Sequence, residues 1–299
     1  MPLLNAVPNF SEGRDGATID AIGSAIAASP GVHVLAEHRD ADHNRCVFSL
    51  VGEPGTLAPA LLAGARVALE RIDLSVHDGV HPHVGALDVA PIAYLHEADR
   101  GAACAEALVL GDLLARELSL PVFLYGILAQ GRTRAELRRG GPAAMAQRMA
   151  AGELLSDFGP RAPHPRGGTT LVGARPPLVA FNVTLKPPAT LEQAREIAAR
   201  IREGGEEGLP GLRAIGLRLE RQGTIQVSMN VEQPDLTPLS AVVAAIARHS
   251  SVAGAELICM APEISFAGFP ADVPIPGFDP DTHLMERALA RIGDATRLA

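Results

Sequence analysis

The spacing of apolar residues in the second half of the chain predicts a regular succession of strands and helices. The clearest strand covers residues 224–231, where every second residue is apolar, a period of two that a sheet with one buried face produces. Further strands are predicted over 178–185, 213–219 and 255–260, and amphipathic helices over 190–202 and 238–249. The order βαββαβ is that of the ferredoxin-like fold.

The first half shows nearly the same order without a visible sequence repeat. Strands are predicted over 3–7, 32–35, 45–51, 87–95 and 122–125, and helices over about 15–28, 56–72 and 99–118. Residues 133–175 are predicted to hold short helical pieces followed by an irregular stretch. Residues 261–280 are expected to form an ordered loop before a last helix over 281–295.

A boundary between two domains is predicted at Pro176-Pro177, because proline resists both helix continuation and pairing in a central strand. The chain then divides into subdomains of residues 1–177 and 178–299. The predicted fold class is α/β (α+β), with two βαββαβ ferredoxin-like-related subdomains side by side. A groove or tunnel between two such layers is a common place for a ligand.

Composition narrows the class of protein. The 299 residues are 47% hydrophobic and 20% charged, as expected for a globular chain with a substantial core. No apolar run reaches the roughly 18–20 residues of a membrane helix, and the N-terminus has no signal-peptide pattern. The three cysteines are isolated, without CxxC spacing, which favours a reducing compartment and a cytoplasmic protein.

The charge pattern argues against nucleic acid as a partner. The net charge is −8, aromatic residues make up 3% and tryptophan is absent, whereas such binders usually show a basic face with stacking aromatics. Lys186 is the only lysine, so the positive charge is almost entirely arginine. Arginine suits bidentate recognition of carboxylates, and an acidic protein with an anionic ligand must gather such residues locally.

Three histidines of the segment HDGVHPH, namely His77, His81 and His83, lie in a loop between a predicted helix and a predicted strand. Rigid flanks make such a loop a frequent place for functional residues. Surface histidines, a metal site completed by Asp78 or Asp88, and general acid–base catalysis are all compatible with it. The spacing matches no tight metal motif such as HExxH, and no metal is expected.

Two further polar clusters stand out. DADHNR, residues 40–45, precedes a buried strand and carries more polar groups than a turn requires. GPRAPHPRGG, residues 159–168, has the proline- and glycine-rich composition of a linker. Its Arg161, His164 and Arg166 could nevertheless contact an anionic ligand, and its glycines would let the backbone approach that ligand closely.

Together these segments resemble the glutamate formiminotransferase family, the folate-dependent transferases of histidine breakdown. The resemblance covers most of the chain and is carried by VPNFSEG (7–13), DADHNR (40–45), FSLVGEP (48–54), IDLSVHDGVHPHVGALDVAP (72–91), PVFLYG (121–126), DFGP (157–160), VGAR (172–175), AFNVTL (180–185) and QVSMN (226–230). VPNFSEG and the HPxxGALDV core are specific in combination. The chain ends where the fused enzyme continues into a cyclodeaminase domain, and so resembles the stand-alone form.

The resemblance implies a role for individual residues. His81, immediately before the proline of HPxxGA, corresponds to the family's catalytic histidine. The family's folate-binding stretch corresponds to Gly159, Pro160, Arg161, Ala162, Pro163, His164, Pro165, Arg166, Gly167 and Gly168. Many members carry arginine where this chain has His83. Further substrate-binding candidates, from the polar clusters, are Asp40, Asn44, Arg45, His77 and His83.

The implied reaction transfers the formimino group of N-formimino-L-glutamate to N5 of tetrahydrofolate, with His81 as general acid and base. Tetrahydrofolate is then a co-substrate, no metal is required, and a homodimer is expected. Three alternatives stay open: formyl transfer from N-formylglutamate on the same site, a non-catalytic folate-binding homologue, and a metal-dependent hydrolase that uses His77, His81 and His83.

Overall fold

The computed structural model describes residues 2–298, with side chains as far as residue 292. The chain divides into two compact units, Met1–Pro176 and Pro177–Ala299. No described helix combines the length and the hydropathy that a membrane span requires.

The first unit alternates strands and helices. Its strands are β1 (Leu4–Ala6), β2 (Asn9–Phe10), β3 (Val32–Asp40), β4 (Arg45–Gly52), β5 (Leu87–Tyr94), β6 (Val122–Gly126) and β7 (Thr170–Arg175). Its helices are α1 (Gly16–Ala27), α2 (Leu57–Arg71), α3 (Arg100–Leu118), α4 (Arg134–Arg138) and α5 (Gly141–Ala150). Single turns of 3-10 helix cover Leu74–Val76, Glu97–Asp99 and Ile127–Ala129.

The strands β1 and β2 form one interrupted line in the centre of the sheet. Both pair antiparallel with β4 on one side and with β5 on the other, and the register with β4 continues unchanged from Leu4 to Phe10. Pro8 interrupts the line because it has no N–H to donate. With β3 on the outer side of β4, the order β5, β1/β2, β4, β3 is the ferredoxin-like order. Strands β7 and β6 extend the sheet parallel to β5.

The second unit has the same arrangement. Its elements are β8 (Val179–Leu185), α6 (Leu191–Ile201), β9 (Leu212–Leu219), β10 (Thr224–Val231), α7 (Leu239–Ala247), β11 (Val252–Ile258), a 3-10 helix at Glu263–Phe266, α8 (Pro280–His283) and α9 (Met285–Leu298). The strands are antiparallel in the order β11, β8, β10, β9. The prediction of two βαββαβ subdomains is confirmed by this repeated topology.

The sheet of the first unit packs helices on both faces of its parallel part. Along β6, Val122 and Leu124 join the core formed with α1, α2 and α3, while Phe123 and Tyr125 join a second cluster with residues of α4 and α5. This alternation places one set of helices on each face. In the larger core, Phe10 and Phe48 meet edge to face with ring centroids 5.9 Å apart.

The end of the segment 133–175 was predicted to be irregular, and this prediction was wrong for β7. Residues Thr170–Arg175 form a central strand between β5 and β6, and all but the last are buried. A parallel strand buried on both faces lacks the alternation that marks a half-exposed strand, and the proline- and glycine-rich residues before it concealed its start. Strand β3 also runs to Asp40 instead of residue 35, because an exposed edge strand carries polar side chains.

The segment 261–280, predicted as an ordered loop, covers the second unit's own core. Phe266, Phe269 and Phe278 pack against that core, and Phe266 stacks on Phe278 with ring centroids 4.7 Å apart. The Ala255 N–H of β11 donates to Pro274 O at 2.9 Å. The aromatic residues therefore give this segment its order.

Candidate active site

Residues 40–45 and the histidine loop, far apart in sequence, lie against each other in the first unit. The Val80 N–H donates to Asp42 O at 3.2 Å. A Cβ placed on Gly79 would come within 2.4 Å of His43 O, so only glycine permits this approach. At the start of the loop, Asp73 accepts a hydrogen bond of 3.0 Å from the Ser75 N–H and begins the 3-10 turn.

Asp40 and Asn44 bind this junction together. Asp40 accepts the His43 N–H at 2.7 Å and lies 2.8 Å from His43 Nδ1; burial raises the pKa of Asp40, but the hydrogen bonds from His43 prevail and lower it. The Asn44 side chain accepts from the Gly13 N–H at 3.0 Å and donates to Asp78 O at 2.9 Å. Both predicted substrate-binding residues thus have protein partners here.

His81 lies beside the guanidinium of Arg45. Arg45 Nη1 is 2.7 Å from each ring nitrogen of His81, and the Pro82 carbonyl is 2.8 Å from Nδ1. A proton on Nδ1 has its acceptor in that carbonyl, which leaves the Nε2 lone pair facing Arg45. Burial and then the Arg45 cation hold the pKa of His81 well below 6.5. The imidazole is therefore neutral at neutral pH and able to accept a proton.

A second arginine, Arg138, stands near the same histidine. Its Nη2 donates to Asp88 Oδ2, and the two side chains are only 12% and 3% exposed. The other Asp88 oxygen accepts the Val84 N–H at 2.8 Å, so this carboxylate links α4 to the end of the histidine loop. Arg45 Nη2 donates to Asn9 Oδ1. Burial lowers the pKa of Arg45 to about 10, with Asp88 opposing the shift.

His77 and His83 form a contact of their own. Their rings meet edge to face with centroids 4.3 Å apart, and His77 Nδ1 lies 3.3 Å from the Asn44 amide nitrogen. His83 Nδ1 is 3.4 Å from His81 O. Burial, followed by the neighbouring His83, lowers the pKa of His77 to about 4. His77 is therefore half-buried and neutral at pH 7.

This shift predicts acid destabilisation in a defined window. Above pH 6.5 His77 is neutral in the folded and unfolded chain, and its contribution to stability is complete. Between pH 6.5 and about 4 the unfolded chain binds a proton that the folded chain does not, so the free energy of unfolding falls with the pH. We expect urea unfolding to show this decline and His77→Gln to weaken it. His33→Gln, at an exposed position, is the control and should leave the decline as in the wild type. If His77→Gln also left the decline of the free energy of unfolding unchanged, the lowered pKa of His77 would be contradicted.

The predicted folate stretch divides into two parts. Its second part is fixed to the histidine loop: the Ala86 N–H donates to Gly167 O, the Thr169 N–H to Val84 O (both 2.9 Å) and the Leu74 N–H to Arg166 O at 3.0 Å. Gly168 has φ 68°, and a Cβ there would lie 2.2 Å from Val84 O. In the first part Arg161 is exposed. Arg166 Nε lies 3.4 Å from Asp73 Oδ2, which is an exposed pair.

Two family descriptions match nearly the whole chain. Residues 3–175 match the N-terminal subdomain of the formiminotransferase domain, and residues 180–267 match the formiminotransferase domain. The chain belongs to the formiminotransferase family.

Curated relatives of this formiminotransferase-family chain include fused and shorter proteins. It is 37% identical over 274 residues to the formimidoyltransferase-cyclodeaminase of Gallus gallus, covering 87% of this chain and 50% of that protein. It is 37% identical over 232 residues to the glutamate formimidoyltransferase of Streptococcus pyogenes serotype M1, covering 77% of each. The enzyme of that name from Thermoplasma acidophilum is 34% identical over 249 residues, 80% of each chain. The chain spans about half the length of the fused relatives it matches.

Several residues of this candidate site are not indicated by the sequence. Asn9 lies in the VPNFSEG motif, which assigns it no role, Asp88 is indicated by the sequence only as a possible metal ligand, and no motif includes Arg138. The capping box of Thr133 and Glu136 was the available signal, because it fixes the start of the helix α4 that ends at Arg138. Nothing in the sequence relates that helix to His81.

Proposed function

We propose that this chain transfers the formimino group of N-formimino-L-glutamate to N5 of tetrahydrofolate, giving 5-formiminotetrahydrofolate and glutamate. The observation that carries the proposal is a neutral imidazole, His81, held beside the guanidinium of Arg45. Membership of the formiminotransferase family supports the class of reaction. The predicted groove between the subdomains, the homodimer and the cytoplasmic location stay predictions.

The proposed chemistry needs one proton to move between two nitrogens. N5 attacks the formimino carbon, forms a C–N bond and gives a tetrahedral adduct. N5 loses a proton to His81, and His81 returns it to the glutamate nitrogen as the old C–N bond breaks. A neutral imidazole accepts the proton, and the Arg45 cation, which lowers the pKa of His81, favours its return. These steps assign no role to a metal ion.

A donor assay tests the function directly. The purified chain is incubated with tetrahydrofolate and either N-formimino-L-glutamate or N-formyl-L-glutamate, and the folate product is identified by mass. We expect the formimino product with a clear preference over the formyl product. Preference for the formyl donor would support the same site with another one-carbon group. Binding of tetrahydrofolate without turnover of either donor would indicate a folate-binding homologue.

The proposed folate stretch gives a separate prediction. A charge-assisted contact to a carboxylate contributes roughly 1.5–3 kcal/mol, about ten- to a hundredfold in affinity. Replacing Arg161 and Arg166 together by alanine should raise KM for tetrahydrofolate, and more so for its polyglutamate, while KM for the donor changes less. Steady-state kinetics with each substrate varied measures this, and Arg116→Ala on α3 is the matched control. Unchanged folate constants would leave the stretch as a connector only.

A further inference from the structure

Two arginines near His81, Arg45 and Arg138, are largely shielded from solvent, and the charge of one carboxylate, Asp88, acts on both. Arg138 is paired with Asp88, whereas Arg45 contacts two neutral groups, the Asn9 side chain and the ring of His81. Among the side chains described up to residue 292, Asp88 is the anion whose charge acts most strongly on Arg45. Arg45 and Arg138 with Asp88 therefore leave one buried positive charge in excess, which is costly without an anionic partner.

The position of Arg138 leaves part of its guanidinium group available. The Asp88 carboxylate occupies Nη2, while Nε is buried without a hydrogen-bond partner in the described part of the chain. The hydroxyl of Tyr125, a residue in the same packed cluster as Leu137 of α4, is also buried without a hydrogen-bond partner in the described part of the chain. Buried donors of this kind are normally satisfied, so the unpartnered Nε of Arg138 supports a polar ligand at this place.

We infer that Arg45 and Arg138 form an anion subsite for the α-carboxylate of the amino-acid donor, oriented by Asp88. The inference rests on the proposed function and deepens it. The α-carboxylate is attached to the carbon that bears the leaving nitrogen, and so lies two bonds from the atom that His81 protonates. The carboxylates of folate lie at the opposite end of that molecule from N5. Arg45 is in contact with the His81 ring and is therefore close to the position of the donor's α-carboxylate.

Two variants test the subsite while keeping the fold. Arg138→Lys retains the charge opposite Asp88 but loses the planar fork. The double variant Asp88→Asn with Arg138→Gln removes both charges, so that no buried carboxylate is left unpaired. Each should raise KM for formiminoglutamate about ten- to a hundredfold, and KM for tetrahydrofolate by less than about threefold. Arg139→Gln, at the exposed neighbouring position, should change neither constant.

A donor with its α-carboxylate converted to the amide isolates the contact. Wild-type enzyme should use this donor poorly, and the two variants should show no further loss with it. Folded variants whose KM for formiminoglutamate equals that of the wild type would overturn the inference while leaving the proposed function in place. Variants that lose activity equally with formiminoglutamate and with its α-amide would also overturn the inference.

A binding measurement separates the inference from the proposed function. L-Glutamate should raise the Tm of the wild type, its α-amide should not, and both variants should lose the effect. If no donor is turned over but this stabilisation is present and depends on Arg138, the subsite stands and the proposed function fails. Absence of stabilisation of the wild type at concentrations of glutamate that inhibit transfer would overturn the subsite.

Discussion

Replacing His81 by alanine should lower kcat for the proposed formimino transfer by about 10²–10⁴-fold, the usual contribution of general acid–base catalysis. The change removes the only imidazole in contact with Arg45 among the described residues. The fold should persist, because the His81 ring contacts a carbonyl and a guanidinium and belongs to no hydrophobic core of the described residues. Single-turnover and steady-state assays at pH 7 measure the loss.

A matched control separates chemistry from structure in this experiment. His96→Ala removes an exposed histidine from the turn before α3 and should leave the rate unchanged. Added imidazole should restore part of the activity of His81→Ala, since a small base can enter the space of the missing ring. A folded His81→Ala variant that keeps more than about a third of the wild-type rate would contradict a role in proton transfer.

Replacing Asp88 by alanine lowers the free energy of unfolding by about 3–5 kcal/mol, the cost of leaving one member of a buried ion pair alone. Asp88 is the carboxylate partner of Arg138, and its other oxygen accepts the Val84 N–H. Both groups lose their partner, and the end of the histidine loop loses its link to α4. Chemical denaturation followed by circular dichroism measures the change.

An exposed pair in the same unit provides the comparison. Asp112 and Arg116 on α3 are 48% and 63% exposed and 3.4 Å apart, and Asp112→Ala should cost no more than about 1 kcal/mol. The double variant Asp88→Asn with Arg138→Gln should be more stable than Asp88→Ala, because it leaves neither member of this ion pair without the other. A cost below about 1 kcal/mol for Asp88→Ala would show that the carboxylate is dispensable to the fold.

The half-exposed strand β10 was predictable from its alternation, whereas β7, buried on both faces, was missed. The alternation over Thr224–Val231 matches the observed β10 residue for residue, since each second side chain meets the core. In β7, neighbours on both sides and helices on both faces impose apolar or small residues at successive positions. The same absence of period is typical of a short buried helix, so the pattern alone left the segment undecided.

The candidate site shows a similar division. The clusters around His81 and Arg45 were visible because several polar residues occur together in each, and the structure brings them into contact. Arg138 comes from an arginine-rich helix end 50 residues after Asp88, and such a helix end is usually a solvated surface. Only the three-dimensional pairing with a buried carboxylate distinguishes it from its exposed neighbour Arg139.

The hydrogen bonds between the histidine loop and residues 166–169 set an order for synthesis. Thr169 and Val84 are 85 residues apart, and β5 gains its parallel neighbour β7 only after the intervening β6 and its helices. Contacts of such long sequence separation carry a loop-closure entropy cost and slow the folding of the chain. A nascent chain can complete β1–β5 and still lack the backbone partners of Val84 and Ala86. The loop that carries His81 therefore gains its last backbone partners only after the residues that follow the connector have been synthesised.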